Sequence, residues 1–175
     1  MKDGRVWIWT DGSARETEHG YRAGAGVFYG KGNRKNRGYG VAGNQTSQRG
    51  ELTAFLRCIE EEDRDMTVFT DSSYVQLGVT KWRHEWKGNA WYRNAGKVRW
   101  IDNVDLWNRV DRILEERGDG VQVKWVKGHG MPIHIQKGLT TEFHIWANNM
   151  SDLVAGRAAE QSERPGVVIV NCKDV

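Results

Sequence analysis

Four acidic residues, far apart in the chain, sit where a fold can gather them: Asp11 after the apolar run VWIWT, Glu51 in SQRGELTAFL, Asp71 after MTVFT and Asp152 in SDLVAGRAA. Side chains at element ends meet at one edge of an open α/β sheet, the edge at which such folds bind ligands. Carboxylates brought together repel until a cation neutralises them, and an all-oxygen donor set suits Mg²⁺ or Mn²⁺. The set therefore points to metal-assisted chemistry. Each acid alone has a plainer meaning: Asp11-Gly12 as a turn, Glu51 as a solvated helix residue, Asp71-Ser72 as a helix cap, Asp152 as a first-turn acid favoured by the helix dipole.

The elements that must position these acids follow from periodicity. RVWIWT reads as a strand ending at Asp11, and AGAGVFYG with RGYGVAGN as an antiparallel pair joined by KGNRKNRG, a solvated basic loop. Leu52, Phe55, Leu56 and Ile59 recur at helical spacing in SQRGELTAFLRCIEEE, which predicts a helix capped by Ser47 with Glu51 in its first turns. DMTVFTDSS is a strand running into Asp71, and SSYVQLGVTKWRHEW a helix interrupted at Gly78. NVDLWNRVDRILEER gives a helix capped by Asp102 or Asn103, with Leu106, Val110, Ile113 and Leu114 on its apolar side. GVQVKWVKG is a further strand, and SDLVAGRAAEQ a closing helix that Asp152 opens. Three strands followed by helix-strand alternation predict an α/β layer fold with a mixed sheet.

The 175 residues suit one domain, and no apolar run approaches the roughly 20 residues of a membrane span. With no leader-like start, an intracellular protein with reduced Cys58 and Cys172 is expected. The net charge of +3 is unevenly spread. Lys81, Arg83, Lys87, Arg93, Lys97 and Arg99 face one acid, Glu85, and interleave with Trp82, Trp86 and Trp91 just before Trp100. Cations neutralise phosphates and indoles stack, so this segment suits a polyanion partner; the alternative is a solvated helix whose tryptophans face the core.

Taken in order, TDGSA (10–14), QTSQRGEL (45–52), FTDSSYV (69–75), KWRHEWKGN (81–89), DNVDLWNRV (102–110), WVKGH (125–129) and NNMSDLVAGRAA (148–159) resemble the type 1 ribonuclease H family over residues 5–161. RAGAGVFYG (22–30) looks closer to its eukaryotic or retroelement members than to the bacterial Asn-Pro-Gly type. The resemblance implies a ribonuclease H-like fold over residues 1–164: a mixed five-stranded sheet flanked by helices, a basic protrusion, and an unusual insertion at about 130–147. Residues 165–175 follow as a tail or an added edge strand. It implies endonucleolytic hydrolysis of the RNA strand of RNA/DNA hybrids with two Mg²⁺ ions, for which Mn²⁺ substitutes, leaving 5′-phosphate and 3′-hydroxyl ends.

Carried over by position, Asp11, Glu51, Asp71 and Asp152 match the family's metal ligands, with Asp11 bridging both ions. His129 matches a histidine for proton transfer or product release, and Asn148 an asparagine supporting the site. Gly12, Ser13, Ser47 and Gln48 match contacts to the minor groove, where 2′-hydroxyls mark RNA. Thr46 and Asn103 match a pocket for a DNA-strand phosphate, Tyr74 and Trp82 a deoxyribose channel, and Lys87, Arg93 and Lys97 the basic protrusion. The implied partner is the hybrid, with no membrane, and the domain is expected to be monomeric, either as a free enzyme or within a polyprotein or reverse transcriptase. Asn44 and Asn149 depart from the family's usual arginine and glutamate. The insertion adds His134, His144, Phe143 and Trp146, as a loop or hairpin on the rim, or alternatively as the source of the proton-transfer histidine or a hybrid-binding flap. The three histidines lack the spacing of a zinc site. A non-catalytic hybrid- or RNA-binding module on the same fold is the alternative function.

Overall fold

The computed structural model describes residues 3–93 and 99–175. Strands β1 (Val6–Thr17), β2 (Gly20–Phe28) and β3 (Arg37–Gly40) form an antiparallel meander, and β4 (Met66–Thr70) and β5 (Val121–Trp125) extend it in parallel from the other side of β1. The helices are α1 (Ser47–Glu61), α2 (Ser73–Leu77), α3 (Arg83–Gly88), α4 (Val104–Arg117), α5 (Pro132–Gln136) and α6 (Glu142–Gln161). A π-helical turn, Gly78–Trp82, joins α2 to α3 where an interruption at Gly78 is expected from the sequence.

Among the described residues the sheet has six strands in the order β5-β4-β1-β2-β3-β6, one more than expected. The sixth, β6 (Ile169–Asn171), comes from the tail and pairs antiparallel with β3. Its alternation explains the addition: Val170 and Cys172 turn inward and are buried, while Ile169 and Asn171 face out. Cys58 and Cys172 are both free thiols. No described helix is long and apolar enough to cross a membrane.

The alternation of β1 assigns each face of the sheet a partner. Val6 and Ile8 join the core formed with Leu52, Phe55, Leu56 and Ile59 of α1, while Trp9, Phe28 and Phe69 cluster with Ala147 of α6 on the other face. Helix α6 lies so close over β2 that a Cβ at Gly24 or Gly26 would collide with the carbonyl oxygen of Ala155 or Ser151. The Gly-Ala-Gly run is the seat of that helix.

Several expected boundaries move. Thr46, not Ser47, caps α1, because its backbone is extended and its hydroxyl reaches the amide of Arg49 at 3.1 Å. Strand β1 does not end at Asp11: its pairing with β2 continues to Thr17, and only the parallel pairing with β4 stops, at Thr10 beside Thr70. Helix α6 starts at Glu142 behind a Thr141 cap, so the insertion is α5 plus the first turns of α6 rather than a loop or hairpin, and Asp152 lies mid-helix rather than in a first turn. Asn103 precedes α4 in a left-handed conformation, φ 58°, and its side chain makes no cap hydrogen bond.

The charge excess of the protrusion is offset in three dimensions. Arg83 and Lys87 pair with Asp111 and Glu115 of α4, and Arg93 and Arg99 with Asp102. A count along the chain misses these partners because Asp111 and Glu115 come from the next helix and Asp102 from the residues just before it. Trp86 and Trp91 pack partly buried against the core, which is the alternative meaning of the tryptophans. Lys97 lies outside the described residues.

Candidate active site

Parallel strands β1 and β4 stop pairing side by side, which sets Asp11 and Asp71 at one edge of the sheet. Helix α1 brings Glu51 to the same place, since Gly12 and Gly50 let strand and helix backbones touch there. One oxygen from each of Asp11, Glu51 and Asp71 lies within 4.8 Å of the others. Asp152 stands outside that trio, but its charge is felt by both Asp11 and Asp71.

The electrostatics are those of a buried cluster of carboxylates. Burial first, then the charges of Asp71 and Asp152, push the Asp11 carboxyl up to about 9, against one favourable hydrogen bond from the Gly12 amide at 2.9 Å. Burial likewise raises Asp71 and Glu51. Two neighbours hold these side chains in place. Asn148 donates from Nδ2 to Asp71 Oδ2 at 3.3 Å, and Ser72 donates from Oγ to Glu51 Oε2 at 2.7 Å while capping α2 through the Val75 amide. The Asn148 Oδ1 atom is buried with no donor among the described residues. An all-oxygen set carrying this much unbalanced charge fits divalent cations of the Mg²⁺ or Mn²⁺ type.

The histidines separate. His129 lies on an exposed turn with φ 48°, near enough to Asp71 that a proton on it would favour the ionised carboxylate. The turn comes this close because Gly128 lacks a Cβ, which would strike the Asp71 carboxylate. His134 accepts the Met131 amide hydrogen bond at 2.8 Å and so serves α5. His144 stacks on Trp7 at 5.8 Å, and its Nδ1 accepts from Trp9 Nε1 at 3.2 Å.

Thr46, Asn103 and Tyr74 are joined through Arg49, a buried arginine of α1. Its guanidinium donates to Asn103 Oδ1 at 3.2 Å, to both oxygens of Asp105 and to the Ala42 carbonyl, while Asn103 Nδ2 and Trp107 Nε1 donate to the Tyr74 hydroxyl. Tyr74 lines a cavity of about 310 Å³ with Trp86, Arg93, Ile101 and Asp102, and Trp82 packs on Trp86 at 6.0 Å. Ser47 and Gln48 are exposed at the start of α1, whereas Ser13 is only 8% exposed. The sequence reading takes Ser72 only as part of an Asp71-Ser72 helix cap and names no role for Arg49 or Gly128. Of these, Ser72 carried a signal, since a serine after a strand-ending acid marks a cap.

Strand β1 and helix α6 face each other in step. Trp7, Trp9, Asp11, Ser13 and Arg15 share one face of the strand, and His144, Asn148, Asp152, Gly156 and Glu160 recur every fourth residue on the helix. The rings of Trp7 and Trp9 meet His144, Asp11 meets the charge of Asp152, and Arg15 lies over Gly156 with Glu160 at 4.0 Å.

Comparison with known proteins places this geometry. The RNase H family model matches residues 3–160. A ribonuclease H of Polaromonas sp. is 35% identical over 127 residues, 71% of this chain and 77% of that protein. A ribonuclease H of Verminephrobacter eiseniae is 32% identical over 161 residues, 90% and 92%. Among solved structures, the prototype foamy virus protease-reverse transcriptase superposes with a TM-score of 0.65 at 21% identity, over 87% of this chain but 20% of that longer protein, and shares the fold. The chain therefore belongs to the ribonuclease H family, as a hydrolytic endoribonuclease.

Proposed function

We propose that the chain cuts the RNA strand of RNA/DNA hybrids with two divalent metal ions held by Asp11, Glu51, Asp71 and Asp152, leaving 5′-phosphate and 3′-hydroxyl ends. The observation that carries this reading is the convergence of Asp11, Glu51 and Asp71 within 4.8 Å, with Asp11 raised by burial and then by the charges of Asp71 and Asp152. Ions bound there supply Lewis-acid activation of the attacking water and of the leaving oxygen. The chain's own groups do the rest. Asn148 and Ser72 fix Asp71 and Glu51, and His129 on its exposed turn carries the proton at the leaving 3′ oxygen. Thr46 offers the DNA strand a hydroxyl that accepts from the Arg49 amide and keeps its O–H free to donate to phosphate. Tyr74 and Trp82 border the deoxyribose, Gly12, Ser47 and Gln48 face the minor groove, and Lys87, Arg93 and Lys97 lie along the protrusion.

One labelled sequence, prepared as hybrid, duplex DNA and duplex RNA and incubated with Mg²⁺ or with chelator, tests the proposal. The expected result is cleavage of the RNA strand of the hybrid alone, and only with metal. Equal cutting of duplex DNA, or cutting in chelator, overturns it, and hybrid binding without cutting under any metal favours the non-catalytic module.

A further inference from the structure

Ser13 matches a position that touches RNA, yet its hydroxyl is covered. Arg15, two residues on and on the same face of β1, donates to Ser13 Oγ from both Nε at 3.1 Å and Nη2 at 2.9 Å. The guanidinium lies flat on α6 because Gly156 has no side chain: a Cβ there would sit 2.9 Å from Nη2. The Ser13 bonds use Nε and Nη2 and leave Nη1 with one ionic neighbour among the described residues, Glu160 at 4.0 Å, and the side chain is 44% exposed. In front of it runs a groove of about 360 Å³, lined by Arg15, Asp152, Leu153, Gly156, Arg157 and Glu160. The groove thus begins at an acid of the catalytic set. Arg157, on its far side, is turned away into a pair with Asp174.

From this geometry we infer that Arg15 binds a phosphate of the RNA strand next to the scissile one, so that a guanidinium fork replaces the Ser13 hydroxyl as the strand contact on this side of the site. Arg15 lies four strand residues from Asp11, a span of about 13 Å, so a single strand crossing the acids continues over it. A guanidinium fixed by two hydrogen bonds and a flat seat presents its remaining N–H groups in the fork that phosphate oxygens accept. Bound phosphate would outcompete the loose Glu160 contact at 4.0 Å. The inference rests on the hybrid-cutting reading and deepens it.

The test compares wild type with Arg15→Met, which keeps the stem, and Arg15→Lys, which keeps the charge. For cleavage of labelled hybrid in Mg²⁺, Arg15→Met is expected to raise KM about tenfold with kcat nearly unchanged, and to lower the slope of log affinity against log salt by about 1. Arg15→Lys should restore the slope but only part of KM. A drop in kcat or in melting temperature with KM and slope unmoved would make Arg15 a structural clamp and overturn the inference. Hybrid binding measured in chelator by fluorescence anisotropy gives the slope without chemistry. A wild type that binds but never cuts hybrid therefore sinks the function reading, while the slope still decides on Arg15.

Discussion

Replacing Asp11 by Asn should abolish cleavage and yet make the metal-free protein more stable. The Asp11 carboxyl is raised from 3.8 to about 9 by burial and by Asp71 and Asp152. At pH 7 the fold therefore holds a proton that the unfolded chain releases. The gap between 3.8 and pH 7, at about 1.4 kcal/mol for each pH unit, costs at most about 4 kcal/mol. An amide has the shape of the protonated acid without that cost, but must bury an NH₂ group with few acceptors, which offsets about half. The expected net gain is about 2 kcal/mol, or about 4 to 8 °C in melting temperature for a chain of this size. The gain should vanish near about pH 5, reverse to a loss of about 2 kcal/mol below about pH 4, where both states are protonated and only the cost of the buried NH₂ group remains, and widen toward about pH 9. Mg²⁺ works the other way: it should stabilise wild type by up to about 3 kcal/mol at a hundredfold excess over its dissociation constant and leave Asp11→Asn almost unmoved. Calorimetric melts across pH, with chelator and with Mg²⁺, check all of this. A variant less stable than wild type at every pH, with both proteins shifted equally by Mg²⁺, would refute the reasoning.

The remaining predictions address the supports of the site. Gly12→Ala drives a methyl into the backbone of Gly50 and Glu51 and should cost about 3 kcal/mol or more along with metal affinity, whereas Gly88→Ala, with open space around it, should be neutral or slightly stabilising in the same urea titration. Burial alone would raise Glu62, but hydrogen bonds from Arg64 and Lys35 overcome it and hold the carboxyl at about 2. Its contribution is present above about pH 4.5 and is lost as pH falls toward 2; with both cationic partners half exposed to screening solvent it amounts to about 1 to 2 kcal/mol, which acid unfolding of Glu62→Gln should no longer show. His129→Ala should lower kcat about a hundredfold while His134→Ala leaves it within about twofold, as measured in single-turnover cleavage. Since Lys87 and Arg93 already have acidic partners, alanine at both should flatten the salt slope of hybrid binding by less than the roughly 1.8 expected of two free contacts.

The positions of Asp11 and Asp71 were legible in the sequence because their signal is local: each follows a run of β-branched and aromatic residues, VWIWT and MTVFT, that reads as a strand. The α1 stripe was legible for the same reason. What escaped depends on partners brought from elsewhere. The cations of the protrusion count as free along the chain, and only the packing of α4 reveals Asp111 and Glu115 beneath them. The length of α6 escaped because its first turns carry His144, Trp146 and Asn148 to a sheet face and to the Asp71 carboxylate, giving no apolar stripe of period 3.6. Residues 165–175 read as either a tail or an added edge strand, and three alternating residues cannot decide between them until β3 offers an edge. Ser72 could be read as a cap, but nothing in one dimension announces that its hydroxyl also holds Glu51.

The facing rows of β1 and α6 limit how this enzyme can be lengthened. Two strand residues advance about 6.7 Å and four helix residues about 6.0 Å, so each rung slips by about 0.7 Å relative to the last. Asp11 and Asp152 sit in the middle of the two rows, between the contacts of Trp7 and Trp9 with His144 and the seat of Arg15 on Gly156. A single residue inserted within α6 would rotate every later side chain by about 100° and swing Asp152 away from the sheet edge. New length is accommodated ahead of the first rung, where α5 (Pro132–Gln136) lies.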